Sequence, residues 1–166
     1  TWKLANVASH NAMKAAGYRE KMKFVGPSVV IPGPTSSSAP KSAYMWLEWC
    51  VEEIDETIDI YSAHAYWRPS SLTQDFTEYF YDRFYNPCKK IIESTGKPLW
   101  CDEFNVSENY SAISEKRKDP LHATQLACAY LRHMVAGIQA SPIWYLVDIK
   151  WPNEIKSSGD GWFEGI

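Results

Sequence analysis

The chain has 166 residues, 17 Lys and Arg against 20 Asp and Glu, a formal charge of −3 and 45% hydrophobic residues. That usage excludes a disordered chain, and the near-neutral balance leaves no basic footprint for nucleic acid. No apolar run approaches ~18 residues, so no membrane span is expected, and no apolar stretch of a signal peptide follows Thr1-Trp2-Lys3-Leu4.

In chain order, Leu4, Val7, Ala8, Ala12, Ala15 and Ala16 recur at helical spacing and predict a helix over 2–20, frayed or ended by Gly17. Lys23 to Pro27 predicts a short strand that stops at Gly-Pro, followed by a Pro-, Gly- and Ser-rich loop from Ser28 to Pro40. A second helix is expected over Ala43–Glu56, with Tyr44, Leu47, Val51 and Ile54 on one face, and a strand over 58–66. A polar loop through Arg68-Pro69-Ser70-Ser71 leads to a third helix over about Gln74–Ser94, broken or kinked at Pro87, which lacks a donor. Gly96 ends it as a C′ residue would. Lys97 to Phe104 is the next strand and Asn105 to Lys118 its long polar loop. Asp119-Pro120 reads as an N-cap with Pro at the first helical position, opening a helix to about Ile138. The last predicted strand is Pro142–Ile149.

Strands that alternate with helices predict an α/β fold with a parallel sheet and crossover helices. The strands begin near Lys23, Ile58, Lys97 and Pro142, ~40 residues apart, against ~31 per unit in a 250-residue (β/α)8 barrel. The whole chain, 1–166, is therefore expected to form one partial barrel domain. Four strands cannot close a barrel, and an open four-stranded parallel sheet is the alternative. No Gly-rich phosphate loop or dinucleotide fingerprint is present.

The chain is rich in aromatics, with 8 Trp, 10 Tyr and 6 Phe. Most are expected in the core, but such rings also form platforms under sugars. Cys50, Cys88, Cys101 and Cys128 sit in apolar contexts without zinc spacing and read as buried free thiols, with one disulfide left open. His10, His64, His122 and His133 are scattered, so no metal and no cofactor is expected.

Glu103 is the sharpest candidate for chemistry, because it stands at the C-terminal end of a strand, where parallel α/β folds place their sites. By period 2, Leu99, Cys101 and Glu103 share one face; if Leu99 and Cys101 fill the barrel interior, Glu103 crowns it and Asp102 points toward the helix layer. On the neighbouring strand Ser62, His64 and Tyr66 share a face. Tyr66 is placed to donate to Glu103, which favours the ionised carboxylate and fixes its rotamer. His64 could contact a ligand hydroxyl or orient Tyr66, or be a satisfied core histidine. On the last strand Trp144, Leu146 and Asp148 share a face, with Trp151 just beyond. Trp144 and the loop residues Trp67 and Trp162 could stack on a sugar ring. Asn105-Val106-Ser107 and Asn109-Tyr110-Ser111 match the glycosylation pattern, but both are expected to border the site.

The segment KPLWCDEFNVSENY resembles the nucleophile strand of the clan A retaining glycoside hydrolases, (β/α)8 enzymes in which a Glu ends the seventh strand. The Glu-Phe-Asn step, the loop after it and Asp148 in IWYLVDIKW look most like family 39, the β-xylosidase and α-L-iduronidase group. SAHAYW resembles the sixth strand and KFVGPS the fifth. The resemblance thus implies the C-terminal half of a TIM barrel, strands five to eight, and an oligosaccharide or glycoside substrate. It implies Glu103 as nucleophile, Tyr66 as its hydrogen-bond partner, and His64, Trp144, Asn105, Trp151 and Asp148 around the sugar. It favours a secreted, periplasmic or lysosomal-type compartment.

The clan's acid/base, a Glu after an Asn at the end of the fourth strand, has no counterpart here; Asn153-Glu154 follows the eighth strand. Removing such a group forfeits ~10²–10⁴-fold, so the polypeptide alone is expected not to hydrolyse glycosides at enzyme-like rates. Its expected partner is the missing N-terminal half of the barrel, in the same or a separate chain, or a second copy. Two other readings stand beside this one: a barrel-derived module that binds a saccharide without cleaving it, and an unrelated α/β enzyme with Glu103 as general base.

Overall fold

The computed structural model describes residues 2–31, 40–67, 77, 79–106 and 120–143. Helix α1 (Trp2–Ala15) is shorter than its apolar spacing predicts. Gly17 takes φ +73°, and the amides of Gly17 and Tyr18 turn back onto the carbonyls of Lys14 and Met13 (3.1 and 3.0 Å). A left-handed turn of this kind closes a helix, and glycine enters it without a Cβ penalty. Strand β1 (Val25–Ile31) runs through Gly26-Pro27 instead of stopping there. It is the edge of the described sheet, and an edge strand tolerates a residue without an N–H.

Helix α2 (Pro40–Ile54) passes into a single 3₁₀ turn, Asp55–Thr57. Its buried positions Ala43, Leu47, Cys50 and Ile54 recur at helical spacing. Strand β2 (Ile60–Trp67) follows. The third predicted helix is three structures in series: a π-helix over Tyr79–Tyr85, α3 (Asn86–Ile92) and a 3₁₀ turn over Glu93–Thr95. Pro87 lies in the first turn of α3, where its missing donor marks the change of ladder. Gly96 then adopts φ +66°, the expected left-handed stop. Strand β3 (Leu99–Val106) reaches two residues further than predicted. Helix α4 (Pro120–Val135) stops before Ile138 because Gly137 takes φ +79°. Of the last predicted strand, Ile143 makes a parallel bridge to Phe104, and 144–149 lie outside the described residues.

The sheet is parallel throughout, in the order β1-β2-β3, so the fold is mixed α/β with crossover helices. One core lies between the sheet and α2, α3 and α4. Tyr61, Ala63, Ala65, Leu99, Cys101 and Phe104 supply its sheet side; Leu47, Ile54, Phe80, Phe84, Ile92 and Leu126 supply the helix side. Within it His133 is fully buried, stacked on Phe80 with ring centroids 4.9 Å apart, and burial lowers its pKa to about 4.

The N-terminal ends of the strands carry structural ion pairs. Asp59 accepts from the Phe24 N–H (2.8 Å) and pairs with Arg19 (2.8 Å). Burial pushes its pKa up, but the Arg19 and Phe24 hydrogen bonds and the Arg19 and Lys23 charges outweigh it and hold the carboxyl below its ordinary value. Asp55 accepts from the Tyr61 hydroxyl (2.8 Å) and from Lys97 Nζ (2.7 Å), tying β2 to the start of β3.

All four cysteines are free, and three are buried. Cys128 departs from the expectation: it lies on the outer side of α4, next to exposed Ala127. Burial pushes the thiols of Cys50 and Cys88 up to about 12 and that of Cys101 higher still. Since the thiolate is the reactive form, Ellman's reagent is expected to find one fast thiol in the native chain and four after denaturation. Cys128→Ser should erase the fast phase; a fast phase that survives would contradict this assignment.

Candidate active site

The site is made by two breaks in strand pairing. Tyr61 pairs with Leu99 and Ser62 with Trp100, but the next pair is His64 with Glu103. Over that interval β3 advances one residue more than β2, which is a β-bulge. The extra residue resets the alternation. Leu99 and Cys101 belong to the helix-side core, and so does Phe104; Asp102 and Glu103 between them both turn to the opposite face. Two expectations are corrected here. Leu99 and Cys101 do not share Glu103's face, and Asp102 does not point to the helix layer. Asp102 departs because Leu99 and Cys101 fill the helix-side core, and Glu103 because strict period 2 has no place for the extra residue.

Strand β1 breaks at the same level. Pro27 pairs with Ser62 and Val29 with Ala63, so Ser28 is the extra residue, and it takes φ +58°. Left-handed backbone is costly for any residue with a Cβ, and such outliers cluster at functional sites. Ser28 donates its hydroxyl to Asp102 Oδ2, and its Oγ lies 3.2 Å from Ser62 Oγ.

The face thus carries a continuous polar row. Tyr66 donates its hydroxyl to Glu103 Oε1. His64 Nδ1 lies 3.5 Å from Glu103 Oε2, and its Nε2 lies 3.6 Å from Asp102 Oδ1. The three side chains are only 16%, 19% and 17% exposed for His64, Asp102 and Glu103. Asn105, the residue paired with Tyr66, is buried at the C-terminal end of the same strand, which removes it as a glycosylation acceptor. Trp100, paired with Ser62, has a buried indole N–H without a hydrogen-bond partner.

The structure therefore gathers Glu103, Tyr66, His64 and Asn105 at one end of the parallel sheet. Trp144, Asp148, Trp151 and Trp162 lie outside the described residues, as does Asn109. Ser28 and Asp102 join the site against expectation, since the sequence puts Ser28 in a loop and Asp102 on the opposite face. A partly buried carboxylate with one oxygen held by a phenol is fit for nucleophilic attack or for proton abstraction. Among the described residues no group of three or more His, Cys, Asp or Glu could hold a metal ion, and no helix is long and apolar enough to cross a membrane. No family model and no curated protein matches the chain.

Proposed function

We propose that this chain is the nucleophile-bearing part of a retaining glycoside hydrolase, with Glu103 as nucleophile and an O-glycoside as substrate. The observation that carries the reading is the placement of the Glu103 carboxylate: at the C-terminal end of a parallel strand, turned away from the helix layer, with Tyr66 on Oε1 and His64 beside Oε2. In a retaining reaction one Glu103 oxygen attacks the anomeric carbon and forms a glycosyl ester, which water then cleaves. The Tyr66 hydroxyl fixes the rotamer and stabilises the anion before attack. The other half of such a pair, ~5–5.5 Å from the nucleophile, is a carboxylic acid that protonates the leaving oxygen. The clan's Asn-Glu acid/base has no counterpart in this sequence.

The same reading takes β1, β2 and β3 as strands five to seven of a (β/α)8 barrel, with Trp144, Asp148 and Trp151 on or after the eighth. The remaining strands would come from chain outside these residues or from a second copy. The wealth of aromatics, 8 Trp, 10 Tyr and 6 Phe, favours one other reading, a barrel-derived module that binds a saccharide on aromatic platforms without cleaving it.

An activated fluoro-sugar separates the two. With 2,4-dinitrophenyl 2-deoxy-2-fluoro-β-xyloside the leaving phenolate departs with its electron pair and needs no acid. Glycosylation is expected on the peptide that carries Glu103, seen by mass spectrometry and absent in Glu103→Gln. Reversible xyloside binding without any adduct would favour the binding module. An adduct on another residue would sink the nucleophile assignment. Ordinary aryl xylosides are expected to show no enzyme-like turnover with the chain alone.

A further inference from the structure

We propose that Asp102 is a positioning residue, which acts through His64 to hold the Glu103 carboxylate in one orientation; this rests on the reading of Glu103 as nucleophile. The extra residue in β3 brings Glu103 to the face that Asp102 already occupies, so the two carboxylates flank one imidazole. Asp102 Oδ2 is anchored by the Ser28 hydroxyl, and Ser28 itself reaches that place through its own bulge and left-handed backbone. The other oxygen, Oδ1, is buried without a hydrogen bond and faces His64 Nε2 at 3.6 Å. Two local irregularities in two strands therefore converge on placing two carboxylates against one imidazole.

The imidazole is the hinge of the arrangement. Its second nitrogen, Nδ1, faces Glu103 Oε2 at 3.5 Å, while Tyr66 holds Oε1. A His ring can turn over, which puts carbons Cδ2 and Cε1 where Nδ1 and Nε2 stood. An acceptor fixed on the Nε2 side selects one orientation and leaves Nδ1 toward the nucleophile. Both contacts are ion-pair distances, longer than hydrogen bonds. The row from Ser62 through Ser28, Asp102, His64 and Glu103 to Tyr66 crosses all three strands, so every strand helps to set the nucleophile.

Stability does not explain Asp102. A second partly buried carboxylate beside Glu103 adds desolvation and like-charge repulsion. Asp102→Asn keeps the size and an acceptor for Ser28 but removes the charge. Its urea midpoint is expected to be no lower than that of the parent chain.

The experiment pairs labelling kinetics with a spectroscopic readout on the full 166-residue chain. With the dinitrophenyl fluoro-xyloside, Asp102→Asn is expected to label Glu103 at least ~10-fold more slowly at saturation, with the half-saturating concentration within ~2-fold, because orientation and not binding is lost. In selectively ¹⁵N-histidine-labelled protein, assigned with His64→Gln, both ring resonances of His64 are expected to shift in Asp102→Asn. A saturating rate within ~3-fold of the parent, or unmoved His64 resonances, overturns the proposal while leaving the nucleophile reading intact. If the parent chain takes no label, the nucleophile reading falls, and the resonances alone decide whether Asp102 orients His64. Should Asp102→Asn fail to fold, Ser28→Ala, which releases Asp102 Oδ2, is read in the same way and with the same two criteria.

Discussion

Phe80→Ala is expected to cost about 3–5 kcal/mol of unfolding free energy, most of what a marginally stable domain has. Phe80 is fully buried near the start of the π-helix. Its ring meets Tyr81 edge-on at 4.9 Å, stacks on Tyr85 at 5.8 Å and on His133 at 4.9 Å, and leans on Phe84 at 5.9 Å. With Phe84 it joins the π-helix to His133 of α4, so its removal leaves a void that neither helix can close alone. Phe80→Leu, which keeps most of the volume, should lose under half as much. Urea unfolding of the two variants checks this; a Phe80→Ala loss below ~1.5 kcal/mol would mean that the site collapses freely or that the ring is not in the core.

Acidification from pH 6.5 to 4 is expected to remove roughly 3 kcal/mol through His133 alone. His133 lies among Phe80, Phe84 and Phe104, with Ser141 on Nδ1, and burial lowers its pKa from 6.5 to about 4. The unfolded chain takes up this proton as the pH falls below 6.5, whereas the folded chain refuses it until about 4. The unfolded state therefore binds more protons across that window, and stability falls as the pH falls. Above 6.5 the contribution is fully present. His133→Phe should flatten urea midpoints between pH 6.5 and 4; an unchanged slope would sink the assignment. Asp59 acts lower on the scale. Its depressed pKa gives stability that is present above its ordinary value of 3.8 and is lost as the pH falls through its folded value. The two titrations are thus separable. Phe80→Ala links both predictions, since water admitted beside His133 relieves its desolvation and weakens the pH dependence in the same window.

The elements that the sequence makes legible are those whose signals are local. Helices alternating with strands, the left-handed stop at Gly96 and the shared face of Ser62, His64 and Tyr66 follow from periodicity and from one glycine. The Tyr66–Glu103 pairing was legible because both lie at strand ends that a parallel sheet brings level. What escaped depends on register, which is a relation between strands. No single strand announces that its neighbour is one residue out of step. Yet a trace exists in β3: its helix-side residues fall at Leu99, Cys101 and Phe104, spaced by two and then three, with Asp102 and Glu103 in the wider gap. The π-helix was read as an ordinary helix because one turn of either ladder presents the same apolar run. Cys128 was read as buried because α4 is apolar on its outer side too, where Leu131, Met134 and Val135 are exposed.

The bulge in β3 also sets a limit on improving this protein. Closing the bulge with every residue kept would give an unbroken ladder and a more regular sheet. In that sheet the side-chain phase after Cys101 would be inverted: Glu103 would face the apolar helix layer and Phe104 would turn to the face that now holds Glu103. Regularity and chemistry are thus opposite phases of one strand. A redesign that idealises the pairing without removing a residue exchanges the carboxylate for a phenyl ring.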